Sequence, residues 1–304
     1  MSLNEKMTAL ADKVRELSGD TSAKTLDNMI SDIGSAITNL DGLISRTTTT
    51  YNNPKATAIR PMGFYYHTTL TDVSFPKCLT VGSSAFYYCT ELTNISFPVC
   101  TNIQSGGFMY CTSLTAASFP KCAIIHSSAF RYAYKLATIY FPSCSTVGGY
   151  AFANCSALKT VDLPKCTTLS SSAFYSCSAM TTISLPKCNT INTYAFAYCS
   201  SLTAINLPEG GIIGSSAFAY CIKLSSAIVR GATISSYAFR NCTSLTYLKI
   251  TNTSGICTLA SSNAFSSTGI TSTTGSIYVP SKYYASYKAA AQWSYFSTRI
   301  YSYT

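Results

Sequence analysis

The sequence predicts an α/β solenoid: a right-handed array of about ten coils, with a parallel strand ladder on one face, a helical stem before it and a strand-helix cap after it. Three observations predict this fold. The aromatic of a recurring AF step returns every 22 residues at Phe64, Phe86, Phe108, Phe130, Phe152, Phe174, Phe196 and Phe218, then drifts at Phe239 and Phe265. Pro76, Pro98, Pro120, Pro142, Pro164, Pro186 and Pro208 recur in the same register. Cysteines follow both steps, again in register. Self-similarity at a fixed period of roughly 20 to 50 residues marks units that cannot bury their apolar face alone and so stack.

Residues 1–45 read as the helical stem. Leu3, Met7, Leu10, Val14 and Leu17 step alternately by four and three, the seam of a short coiled coil. A second stripe, Leu26, Ile30, Ile33, Ile37 and Leu40, follows Thr25, with Gly19 to Ser22 as the break. Short helices are marginal in water, so these stripes need a partner. Leu3, Met7, Leu10, Val14 and Leu17 are therefore the attachment candidates, toward a particle or a second copy of the chain. The alternative is a helical cap on the first coil. The opening has no continuous apolar run of a signal peptide, and no stretch of about 18 apolar residues occurs. Synthesis in a bacterial cytoplasm is the expectation.

Residues 46–59 read as a linker and 60–270 as the coils. Within one coil the rhythm changes. Phe86, Cys89 and Leu92 step by three, as on one face of a short helical turn. Asn94 to Phe97 alternate, with Ile95 and Phe97 inward and Asn94 and Ser96 outward, and Pro98 ends the strand because it lacks a ladder N–H. Stacking should align Ile95, Ala117, Ile139, Val161, Ile183 and Ile205 down the array. Residues 271–304 read as the cap.

Cys78, Cys100, Cys122, Cys144, Cys166 and Cys188 form one series; Cys89, Cys111, Cys155, Cys177, Cys199, Cys221 and Cys242 form the other. Ala133 and Gly210 fill one slot each, which packing tolerates and a bridge would not. Buried free thiols, acting as small hydrophobes, are the expected state. Stacked parallel Cβ atoms about 4.8 Å apart would miss the roughly 3.5–4.5 Å that a disulfide needs. Replacing Cys155 by Ser is then expected to bury an unmatched hydroxyl. No metal or cofactor is called for: there is no C-x-x-C, and His67 and His126 stand outside any ligand set.

Charged residues make up only 11% of the chain, so Ser, Thr and Tyr supply most of the polar surface. Residues 1–60 carry seven bases and seven acids, which leaves the whole excess of +10 on the coils and cap, where only Asp72, Glu91, Asp162 and Glu209 are acidic. That field favours anionic partners, while no nucleic-acid motif accompanies it. Two histidines and widely spaced acids offer little for acid-base or nucleophilic chemistry, so the chain is expected not to be an enzyme. His126 stands where other coils have Gly82, Gln104 or Gly148, which reads as exposure.

Two surfaces are binding candidates. Outward strand positions stack into a polar ladder that includes Asn94, Ser96, Ser118, Thr138, Tyr140, Thr160, Asp162, Thr182, Ser184 and Asn206. Positions after the AF step supply tyrosines, chiefly Tyr87, Tyr88, Tyr110 and Tyr132, with Tyr65, Tyr66, Tyr175, Tyr198 and Tyr220 in the same series. Tyrosine beside Ser and Gly gives contact area at low entropic cost; the competing role is shielding of coil edges. Lys77, Lys121, Lys165 and Lys187 form a basic line, either a binding element or a solvated rim.

The pattern AFxxCxxLTxIxLPxC, as in AFANCSALKTVDLPKC at 151–166, resembles the BspA-like leucine-rich repeat over residues 60–300. SIYVPSKYYASYKAAAQW at 276–293 is similar to the strand and helix that close such arrays. The resemblance implies a leucine-rich-repeat-type solenoid that recognises a surface glycan or protein. The opening MSLNEKMTALADKVRELSG, with LDNMISDI, resembles N-terminal segments of tailed-phage virion proteins. Together these imply an adhesin on a phage tail, with residues 1–45 on the virion and the coils on the host. A bacterial cell-surface adhesin is the alternative, and a polysaccharide-degrading enzyme the reading from another class.

Overall fold

The computed structural model describes residues 46–231, 233–272 and 274–304, so the stem, with Leu3, Met7, Leu10, Val14 and Leu17, lies outside the described residues. The chain divides into two units, residues 1–49 and 50–304. The second is a parallel β-solenoid of about eleven coils with little helix. Its first coil already starts at Thr50, inside the segment expected to be a linker, because Thr50–Asn52 pairs with Asp72–Ser74 and Ala58–Ile59 with Thr80–Val81.

Two parallel ladders join the coils where a single one was expected. One consists of two-residue strands and runs unbroken through ten coils, from Ala58–Ile59 to Thr258–Leu259. The second residue of each strand is buried, giving an aliphatic file that includes Ile59, Val81, Ile103, Ile125 and Val147. β-Branched side chains suit this pleated, half-buried setting.

The expected ladder of three-residue strands is present but interrupted. Asp72–Ser74 pairs with Asn94–Ser96, Ala116–Ser118 with Thr138–Tyr140, and Thr160–Asp162 with Thr182–Ser184, while no pairing joins one couple to the next. Register therefore aligns Val73 with Ile95, Ala117 with Ile139 and Val161 with Ile183, as the sequence required. Ile95, Ile139 and Ile183 stay half-buried and all face a break. Across the breaks the positions in register are Ala117, Val161 and Ile205. From Ala204–Glu209 onward the ladder is continuous through Ser226–Arg230, Tyr247–Ile250, Ser276–Pro280 and Ile300–Tyr303.

The segment expected to be a short helical turn is instead a chain of hydrogen-bonded turns. Gly63, Tyr65 and His67 donate their N–H groups locally, three residues back, whereas Met62, Phe64 and Tyr66 donate to Ser83, Ala85 and Tyr87 of the next coil. A continuous helix would turn every N–H inward along its own axis. Two residues per coil with positive φ, such as Tyr66 and Ser84, break that direction so that alternate N–H groups reach the neighbour.

The core is built in files. Phenylalanines of the AF step stack from Phe64 to Phe265, with centroids 4.9 to 5.6 Å apart and rings within 8° of parallel. Phe75, Phe97, Phe119 and Phe141 form a second file, edge-on to the first, that continues as Leu163, Leu185 and Leu207. All fourteen cysteines are buried and unbridged. Those after AF donate Sγ–H to the phenylalanine carbonyl of the preceding coil, Cys155 to Phe130 at 3.2 Å for example. Those after the proline donate to a carbonyl two residues on, as Cys78 does to Thr80 at 3.1 Å. Burial raises the pKa of the Cys89 and Cys199 thiols to about 12, so these donors keep their protons. A hydroxyl at 155 would face the Phe130 carbonyl and would not be unmatched, which corrects the expectation for Cys155→Ser.

The cap closes the last coil. Ser276–Pro280 leads into the helix Tyr284–Ala289, a 3₁₀ segment Trp293–Arg299 and the edge strand Ile300–Tyr303. Trp293 Nε1 donates to the Cys257 carbonyl at 2.7 Å, and Cys257 N–H donates to Tyr287 Oη at 2.7 Å. Phe296 meets Phe265 edge-on at 5.5 Å, so the phenylalanine file ends under aromatic cover. Among the described residues no helix is long and apolar enough to cross a membrane.

Candidate functional site

All ten strand-face candidates, from Asn94 to Asn206, are exposed. Their hydrogen bonding is partly internal: Asn94 Nδ2 donates to Asp72, whose carboxyl also accepts from Thr71 Oγ1, and these two bonds hold its pKa below the usual carboxylate range. Much of the remaining hydroxyl content staples coil to coil. Thr93, Thr101, Thr167 and Thr181 each donate to a carbonyl 22 residues back, at 3.1 to 3.3 Å. At the last ladder break, Ser184 and Asn206 line an open cleft of about 420 Å³ with Pro186, Pro208 and Arg230. Lys77, Lys121, Lys165 and Lys187 are exposed.

The turn face is more unusual. Tyr66, Tyr88, Tyr110 and Tyr132 adopt φ of 58°, 62°, 62° and 65°. Their rings form a file, with centroids 4.8, 4.9 and 4.5 Å apart. Tyr65 and Tyr87 stack beside it at 5.0 Å, and Tyr87 touches Tyr66, Tyr88 and Tyr110. The expected tyrosine candidates are thus brought into one continuous patch of half-exposed rings. Left-handed backbone costs an L-residue about 1–2 kcal/mol, less for Asn. Asn154, Ser176 and Asn241 hold the same slot in other coils, and Tyr198 and Tyr220 resume the file with rings 4.6 Å apart.

Arg131 ends the first run. Its guanidinium lies 4.7 Å from the Tyr132 ring centroid and 4.8 Å from that of Tyr150, and Nη2 donates to Tyr132 Oη at 2.9 Å. Its Nε is buried without a partner, and no carboxylate pairs with it among the described residues. Sequence reasoning missed Arg131 and Tyr150. The signal was Asn154 in register with four tyrosines, since Asn marks a left-handed slot. Burial and neighbouring phenols raise the pKa of Tyr87 and Tyr110, so these groups remain O–H donors at neutral pH. His126 is half-buried in a turn, not exposed as expected, and His67 is buried.

Comparison with known proteins agrees with this geometry. The BspA type Leucine rich repeat region (6 copies) matches residues 57–180, 123–246 and 167–289. A leucine-rich repeat protein from Bacteroides ovatus is similar in structure, with a TM-score of 0.51 and 19% identity over 86% of this chain and 85% of that one. The T. pallidum leucine-rich repeat protein is 24% identical over 58% of this chain and 78% of its own, with a TM-score of 0.45. No curated protein matches. Matched over residues 57–289 and stacked on a period of 22, this chain belongs to the BspA-type leucine-rich repeat family.

Proposed function

We propose that the chain is a non-enzymatic recognition protein, an adhesin of a bacterial cell surface, and that its turn face binds the external partner. The observation that carries this reading is the tyrosine file. Tyr66, Tyr88, Tyr110 and Tyr132 occupy a backbone slot where Asn or Gly would fold more readily, and their rings make one exposed patch. The coil requires the left-handed slot but not a tyrosine in it, and strain kept for the sake of an exposed side chain is characteristic of binding sites. Family membership supports a surface recognition role, and the strand face, pinned by its own hydroxyl bonds, offers a less distinctive surface.

Display on a tailed-phage virion through residues 1–45 is the second reading. It rests on the resemblance of the opening segment, and the family match, which begins at residue 57, gives it no support. The test of the first reading is binding of the labelled full chain to panels of intact bacterial and host cells. The chain carrying Tyr88→Ser, Tyr110→Ser and Tyr132→Ser should lose most association, while Ser96→Ala with Thr160→Ala should keep it. Undiminished binding by the tyrosine variant would remove the turn face from the proposal.

A further inference from the structure

Resting on the recognition reading above, we infer that the tyrosine file and Arg131 bind a linear anionic polysaccharide, laid along the array axis with its carboxylate or sulfate oxygens on the phenol hydroxyls and the guanidinium. The argument begins with what stacking leaves available. Sugar rings usually dock on free aromatic faces, but in this file the faces cover one another: Tyr66 on Tyr88 at 4.8 Å and 11°, Tyr110 on Tyr132 at 4.5 Å and 18°. Covering the faces leaves the exposed part of these half-exposed rings to the edge, the positive side of the aromatic quadrupole, together with the O–H. A surface of positive edges and donors selects electronegative oxygens.

Arg131 supplies the full charge. Two rings hold its guanidinium in place, Nη2 donates to Tyr132 Oη, and its Nε stays buried and unpaired. Because Tyr132 Oη accepts from Arg131, its own proton is left to donate elsewhere. A half-buried cation without a carboxylate is costly unless an anion completes it. The surrounding coils provide none: from residue 61 on, the chain has four acids against a large basic excess.

Period chooses between a polysaccharide and an acidic peptide. The rings that carry the donors recur with centroids 4.5 to 4.9 Å apart. An extended peptide returns a side chain to the same face only every ~6.6 Å, which drifts out of step within two rungs. A two-fold pyranose chain advances by about one coil per sugar and returns an acidic group to the same face about every second coil, so it keeps step along the file.

The test measures the full-length chain by biolayer interferometry on immobilised polygalacturonate, hyaluronate and dextran sulfate, with neutral dextran and poly-glutamate as controls. Wild type should bind at least one acidic polysaccharide, not neutral dextran, and weaken as NaCl rises. Tyr88→Phe and Tyr110→Phe keep the rings and the backbone, and each should weaken binding about tenfold if its O–H meets a charged oxygen. Arg131→Met should weaken it more, and Arg131→Lys should restore part. Loss of binding to all three polyanions, or Tyr→Phe variants that bind as wild type does, would overturn the inference. Equal or tighter binding to poly-glutamate would replace the polysaccharide by an acidic protein. Cell binding lost in the serine variant without any polyanion binding would sink this inference alone and leave the recognition reading standing.

Discussion

Cys155 shows why thiols fill both series of core slots. Its Sγ donates to the Phe130 carbonyl, which already accepts from the Ala133 N–H, so sulfur packs like a methyl group and satisfies a second lone pair. Cys155→Ser keeps a donor at a shorter reach and should cost about 1 kcal/mol, whereas Cys155→Val keeps volume without a donor and should cost about 1–3 kcal/mol. Urea denaturation midpoints check the order; serine costing more than valine would count against the hydrogen bond. The thiols also set the alkaline limit. Burial lifts the folded pKa above the ordinary 9.0 at five of them, to about 11 for Cys100 and Cys144 and about 12 for Cys89, Cys199 and Cys257. Protons are held more tightly in the folded state, so this stability is complete below pH 9.0 and is lost as pH rises from there toward the folded values. Each of these five thiols contributes a slope of up to about 1.4 kcal/mol per pH unit in that window. Melting temperature should be flat from pH 6 to about 8 and fall steeply above about 9; a flat profile to pH 11 would refute the burial of protonated thiols.

At the scale of the element, the turn segment and the cap behave differently. Tyr110→Asn removes a stacked ring, worth roughly 0.5–1.5 kcal/mol, and relieves a left-handed backbone of about the same cost. Stability should therefore change by less than about 1 kcal/mol while binding is lost, a separation that a purely shielding tyrosine would not show. Trp293 is 2% exposed and bonded to Cys257, over the end of the phenylalanine file. Trp293→Ala should cost about 3–5 kcal/mol, and hydrogen exchange should rise first in the coils near Cys257 and Phe265, because loss of a cap opens a stack from its end.

For the coil unit as a whole, neighbours touch only neighbours, so length is adjustable. Excising residues 146–167 joins Ser145 to Thr168 in register, and the ladder of two-residue strands can re-form, since Thr146 pairs with Thr168 in the same slot, while Thr182–Ser184 loses its partner Thr160–Asp162. The shortened chain should keep its far-UV spectrum and lose stability modestly. Collapse of the spectrum would show that coils depend on more than their neighbours.

The sequence by itself determined the period, the files of phenylalanine and cysteine, and the strand register, because every coil repeats the same apolar positions and only stacking can bury them. It also placed Tyr87, Tyr88, Tyr110 and Tyr132 on one surface. It did not reveal the unbroken ladder of two-residue strands, since two residues are too short to show alternation, nor the ladder breaks beside Ile95, Ile139 and Ile183, which depend on how much a neighbouring coil covers. The tertiary structure alone decided that the AF segment is not helical and that tyrosines stand in left-handed slots, because the direction of each N–H is set by the carbonyls of the next coil. Arg131 belongs there too: its charge became meaningful only once Tyr132 and Tyr150, one and nineteen residues on, were brought to either side of it.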